Sequence, residues 1–369
     1  MPSRRTQRRG AGPTSLALGL LLAWGRPAEA GCVQVHLPGA AFTAGRLEVG
    51  AGAGAEGPGE EGLVHLIEHL RAGAGPGLRT GAALTEPDGH GYGADGVDPA
   101  QVEAGLRAQV ERPLGPLAAA LEAERAAVRA EALAQPDEAR LLARLRAAAW
   151  PAPHPYGHDP LGAPEAPGSA VSRAQIADLE RIDARALRGA PRLCLLVGPI
   201  PAVGEAPPLT SAPPLTSAPP PPPGPPTSVQ DPRGSWRVWL TPPAAHADAA
   251  ALRLLGRALR AQGQPALWWS GRLGGIFALG APARRPPARA LLRRPGRAPR
   301  VPAGLGARLQ TEQARVEAQP DRLAAQAGAC WRAGRDLRCG REDAAVHAIS
   351  DAHLAEVIER WLPGAALAR

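Results

Sequence analysis

The chain has 369 residues and a formal net charge of +8, from 42 basic and 34 acidic side chains, and it contains neither lysine nor asparagine. With 44 glycines, 43 prolines and abundant alanine and arginine, this is the bias expected of a GC-rich genome acting on codon choice, so the charge alone does not imply a polyanionic partner. The arginines are dispersed and only 3% of residues are aromatic, which leaves few platforms for stacking bases and argues against nucleic-acid binding.

The chain opens on a targeting signal. Arg4, Arg5, Arg8 and Arg9 precede a short apolar run, and Ala28-Glu29-Ala30 forms a small-x-small cleavage site before Gly31. A signal peptide over 1–30 is therefore expected, with the mature chain periplasmic or secreted. The apolar run is too short to span a bilayer. Cys32 stands where a lipoprotein cysteine would, although Glu29 replaces the usual apolar residue three before it. Membrane attachment is expected only if that cysteine is lipidated.

Cys32-Val33-Gln34-Val35-His36-Leu37 reads as an apolar strand. His65-Leu66-Ile67-Glu68-His69 follows on a helix. There, positions i and i+4 stack on one face, so both imidazoles can reach one Zn²⁺ while Glu68 lies beside them as a general base. Sixty-two residues beyond His69, Glu131 can supply a third ligand from an Ala/Leu/Arg/Glu-rich helical stretch over 114–149. Glu124, seven residues earlier on the same face, suits a carboxylate that orients a histidine or assists catalysis. Charged faces are also common on ordinary solvated helices, so the spacing alone leaves Glu131 open.

His154-Pro155-Tyr156-Gly157-His158 forms a Pro/Gly turn, and 193–197 is an apolar strand that buries Cys194. Strands bracketing three helical stretches imply an α+β catalytic domain over 31–205, a sheet covered by helices. Two Ala-Pro-Pro-Leu-Thr-Ser copies and five consecutive prolines then mark a linker over 206–230, extended in the polyproline manner. A second, reduced domain spans 231–369. In it Trp236-Arg237-Val238-Trp239-Leu240 alternates like a strand, and 247–260 is an amphipathic helix. The basic run over 284–300 is expected to be a solvated loop or disordered strip, Cys330 and Cys339 are spaced for a disulfide, and a last helix over 351–362 is capped by Ser350.

Several blocks, in this order, resemble the pitrilysin, insulin-degrading enzyme and mitochondrial processing peptidase family of zinc peptidases. Gly62-Leu63-Val64-His65-Leu66-Ile67-Glu68-His69-Leu70 is similar to its "GLAHFLEHM" segment, Glu124 through Glu131 to its "ERxVVxxE" helix, and Thr85 through Tyr92 to its substrate-binding edge strand. His154-Pro155-Tyr156-Gly157 is similar to its "HPYG" loop, and the strand over 193–198 to its "lvvvGd" strand. The likeness runs over about 33–201. It implies two α+β domains, each a mostly antiparallel sheet covered by helices, with His65, His69 and Glu131 on zinc and Glu68 as base. Ala82, Ala83 and Thr85 would face a peptide substrate. The resemblance also implies a second peptidase-family chain, the same or different, closing the chamber. Three departures accompany it. Ala82 stands where the family places a substrate-gripping Asn, the segment between His69 and Glu131 is short, and the Arg and Tyr pair of the family's other half has no clear counterpart.

His90 is expected to be a surface or hydrogen-bonded residue, and His154 and His158 to belong to the turn. The function expected is zinc-dependent endopeptidase action on peptides or unfolded segments; the alternative is a non-catalytic subunit or peptide-binding partner of an active homologue.

Overall fold

A computed structural model describes residues 32–73, 77–151, 153–157, 159–164, 166–200, 222–232, 234–282, 302, 304–337, 339–340 and 349–363. The expected signal peptide over 1–30, the basic run over 284–300, His158 and most of the expected Pro-rich linker lie outside the described residues.

The first sheet contains β1 (Val33–His36), β2 (Thr43–Val49), β3 (Arg79–Thr80), β4 (Leu84–Glu86), β5 (Gly89–Gly96) and β6 (Arg192–Gly198), in the order β1-β6-β2-β5-β3, with β4 also pairing β5. Only β1 and β6 run parallel; the other pairings are antiparallel. The segment 85–92, expected as a single edge strand, instead turns at Pro87-Asp88, so β4 and β5 form a hairpin. Pro87 cannot donate to a ladder and Asp88-Gly89 favours a tight turn.

The helices of this half are α1 (Leu63–Arg71), α2 (Pro99–Glu111), α3 (Leu121–Ala134), α4 (Asp137–Ala149), α5 (Ala170–Arg173) and α6 (Ile176–Ile182). The stretch expected to be helical over 114–149 is interrupted at Pro136, whose ring prevents α3 from continuing into α4. Strand β2 is buried along its whole length because both faces are covered. On one face, Val102, Leu106 and Val110 of α2 pack against Leu47, Val49, Tyr92 and Leu196.

The second sheet, β7 (Thr227–Asp231), β8 (Gly234–Thr241), β9 (Ala266–Ser270) and β10 (Gly275–Pro282), is antiparallel in the order β7-β8-β10-β9. Strand β7 falls where the sequence suggested linker. The helices of this half are α7 (Ala249–Ala261), α8 (Leu305–Glu317), α9 (Pro320–Arg332) and α10 (Asp351–Trp361), the last capped by Ser350 Oγ on His353 N. Trp239 and Phe277 of the sheet meet Leu252, Leu255, Val357 and Trp361 in its core.

The two halves interpenetrate through α9. Its Ala324, Ala327 and Trp331 cover the other face of the first sheet, against Val35, Ala44, Leu195 and Val197. Arg332 reaches the fully buried Glu48 of β2, which also accepts from Arg46 Nε at 2.9 Å. Burial would push the Glu48 pKa up, but the two guanidiniums outweigh it and hold the carboxylate charged. Gly328 makes the approach possible, since a Cβ there would lie 2.1 Å from Glu48 Oε1.

Two disulfides account for all four cysteines, Cys330–Cys339 and Cys32–Cys194. The second corrects the view of Cys194 as a merely buried thiol. Parallel pairing of β1 with β6 in the register Val33↔Leu195 sets Cys32 beside Cys194, with Cα atoms 4.4 Å apart. A sulfur held in a disulfide cannot carry a lipid, so this bond and acylation of Cys32 are alternatives. Among the described residues no helix is long and apolar enough to cross a membrane.

Candidate metal centre

Helix α1 is fixed at both ends before its imidazoles come into play. At its start the Glu56 carboxylate accepts from Gly62 N at 3.0 Å and Val64 N at 2.8 Å, satisfying donors that have no partner within the helix. Gly62 is left-handed, with φ of 88°, and a Cβ there would sit 2.6 Å from Leu161 O, so glycine is required on both counts. At the other end Arg71 makes a bidentate pair with Asp183, at 2.7 and 2.9 Å, and Arg71 Nε donates to Arg112 O. In between, Leu66, Ile67 and Leu70 pack with Leu121 and Val128 of α3, which turns the carboxylates of α3 toward the histidines.

Glu131 Oε2 lies 3.1 Å from His69 Nε2 and 3.4 Å from His65 Nε2. Two ligands bonded to one tetrahedral zinc at about 2.0–2.1 Å are separated by about 3.3 Å, so this donor set has the spacing of a zinc site. Glu124 Oε2 stands 3.3 Å from His69 Nδ1, where it can hold the ring by its other nitrogen. Among the described residues His65 lacks such a partner: its Nδ1 is buried without a hydrogen bond.

Glu68 is a rival third ligand. One donor atom each from His65, Glu68 and His69 lies within 4.8 Å of the others. Yet Glu68 Oε2 is 3.8 Å from His65 Nε2, farther than Glu131, and it accepts a hydrogen bond from Thr85 Oγ1 at 3.2 Å. Position therefore favours Glu131 as ligand and Glu68 as the adjacent proton acceptor.

Burial raises the Glu68 pKa, which suits a base. The hydrogen bonds from His65 and His69 hold the Glu131 carboxyl well below the usual range. Burial pulls His69 down, but its hydrogen bonds to Glu131 and Glu124 and the charge of Glu68 outweigh that and raise it.

A cleft of about 300 Å³ opens over this cluster, with Ala83, Leu84 and Thr85 of the β4 region on one wall. Ala82, expected on the substrate strand, is not part of that wall, and its carbonyl accepts from Arg46 Nη1. His90, with Nδ1 2.6 Å from Ala51 O, is buried in the sheet and has the hydrogen-bonded role expected of it. His154 Nδ1 accepts from Tyr156 N within the turn.

Sequence reasoning missed four contributions to this region. Glu56 and the Arg71–Asp183 pair are ordinary charged residues until the chain folds. Trp269 brings the second half into the cleft wall, and Arg146 lies beside it. Neither was a candidate site residue in the sequence.

No protein-family model matches the sequence, and neither does any curated protein. Solved structures do match the fold. A putative M16-like peptidase from Alicyclobacillus acidocaldarius superposes with a TM-score of 0.60 at 16% identity, over 90% of this chain and 92% of that one. A peptidase M16 inactive domain from Pseudomonas fluorescens gives 0.59 at 14%, over 89% and 92%. Pitrilysin gives 0.53 at 16%, over 88% of this chain and 42% of its own. The α+β fold is thus that of M16 peptidase domains, a fold shared by active and inactive members, so any activity must be argued from the side chains.

Proposed function

We propose that the chain is a zinc-dependent endopeptidase acting on peptides or unfolded segments in the periplasm or outside the cell. The observation that supports it most is the approach of one Glu131 oxygen to both imidazoles, with Glu68 alongside. His65, His69 and Glu131 would hold Zn²⁺, which when bound supplies a Lewis acid that polarises water or a carbonyl. Glu68 takes the proton from the attacking water and can return it to the leaving amine; burial strengthens it as a base and Thr85 fixes its orientation. Glu124 keeps the His69 ring aligned. Among the described residues β4 pairs with β5 alone, so an extended peptide can lie along its other edge. A second peptidase-family chain would close the open side of the cleft.

Hydrolysis of a quenched fluorescent peptide tests this reading. Glu68→Gln is expected to lower kcat by at least about 10²-fold, in line with loss of a general base. Undiminished turnover by that variant would refute the role of Glu68. A zinc-loaded protein that stays inactive even with its partner chain would favour a non-catalytic, peptide-binding role.

A further inference from the structure

The cleft has one charged wall that this chemistry does not use. Arg146 of α4 lines it together with Leu142, Asp159 and Trp269. Only 6% of the residue is exposed, its Nε is buried without a hydrogen-bond partner, and its guanidinium makes no ion pair among the described residues. The cation rests against the Trp269 ring, 5.1 Å from the centroid. Asp159 and Glu86 act on it only at a distance: Asp159 Oδ1 accepts from Leu161 N, and Glu86 is paired with Arg332.

Other buried arginines are treated differently. Arg46 and Arg332 bind Glu48, Arg71 binds Asp183, and Arg272 donates to the carbonyls of α9. Buried donors are almost always satisfied, and a desolvated guanidinium without a counterion is costly. Burial also depresses the Arg146 pKa, as expected of a cation that its surroundings do not fully compensate. A group in that condition, facing a cleft, is suited to a partner that arrives with the ligand. The planar fork matches a carboxylate through two parallel hydrogen bonds.

Building on the peptidase reading of this cleft, we propose that Arg146 is a specificity residue that receives a carboxylate of the bound peptide. The source is either an acidic side chain near the scissile bond or a free C-terminus.

Fluorescence anisotropy on the full-length, zinc-loaded Glu68→Gln protein tests this without relying on turnover. Labelled peptides of one sequence would differ only in Glu against Gln at one position, or in a free against an amidated C-terminus. With Arg146 intact, one carboxylate member is expected to bind at least about tenfold tighter than its amide counterpart, as a charge-assisted pair would give, and the pair that responds identifies the source. Arg146→Gln should abolish the ratio between the carboxylate and amide members. Equal affinities throughout would overturn the proposal, as would a ratio that persists in the folded variant. Should Arg146→Gln fail to fold, Arg146→Lys, which keeps the charge but not the fork, is expected to reduce the ratio, and an unchanged ratio would overturn it. Hydrolysis indifferent to the carboxylate, in protein with native Glu68, would sink this proposal and leave the peptidase reading standing. A carboxylate preference in binding with no hydrolysis in that protein would do the reverse.

Discussion

The Tyr156 hydroxyl donates to Asp88 Oδ1 across 2.6 Å, and this pair clamps the two halves of the molecule together at the edge of the cleft. Tyr156 Oη accepts from Leu273 N at 2.8 Å and Asp88 Oδ2 from Arg272 N at 2.9 Å, so the β4–β5 turn grips the β9–β10 turn. Gly271 leaves room for both side chains, since a Cβ there would lie 2.3 Å from Asp88 Oδ2. Tyr156→Phe removes a donor from a buried carboxylate and an acceptor from a backbone amide. It should cost about 1–3 kcal/mol in urea unfolding, and a change within about 0.5 kcal/mol, the range of an ordinary surface substitution, would show that the clamp does not matter.

His90 gives the fold a dependence on acidity. Burial lowers its pKa from 6.5 to about 4, so the folded protein keeps the ring neutral while the unfolded chain protonates it near 6.5. Its contribution is complete above about pH 6.5, declines as pH falls toward 4, and levels off below. Asparagine can retain the donor to Ala51 O without titrating. Measured by denaturation between pH 7 and 4, the wild type should lose up to about 3 kcal/mol relative to His90→Asn. Parallel curves for the two proteins would contradict this.

The disulfides differ in how much chain they close. Cys32 and Cys194 are separated by 162 residues, Cys330 and Cys339 by 9. By chain entropy, the longer loop should contribute about 5 kcal/mol and the shorter about 3 kcal/mol. The double variant Cys32→Ala/Cys194→Ala should therefore lower the melting temperature more than Cys330→Ala/Cys339→Ala. Thiol titration in denaturant should find no free thiol before reduction. A reactive Cys32, or the opposite order of melting temperatures, would argue against the bond between β1 and β6.

How much of this was legible in the sequence depended on how local the physics is. The placement of His65, Glu68 and His69 on one face of α1 follows from helical periodicity alone, and the Ser350 cap from the local pattern at the start of α10. Glu131 and Glu124 became candidates through their spacing and a family resemblance, and packing of α1 on α3 was needed to bring them to the histidines. The Cys32–Cys194 bond requires two strands whose paired residues are 162 positions apart to be neighbours, and the passage of α9 across the first sheet is equally non-local. The turn at Pro87-Asp88 was different. Pro-Asp-Gly is a local turn signal, but alignment to an extended family strand obscured it. Arg146 had no signal at all, because an unpaired guanidinium is recognisable only once its surroundings are known.

Zinc content after dialysis against a weak chelator, measured by elemental mass spectrometry, tests the central claim most directly. Wild type and Glu68→Gln should each retain one zinc per chain, whereas Glu131→Ala should lose nearly all of it under the same conditions. A wild-type protein without zinc after loading would contradict the metal centre. Retention by Glu131→Ala together with loss by Glu68→Gln would show that Glu68, not Glu131, completes the site.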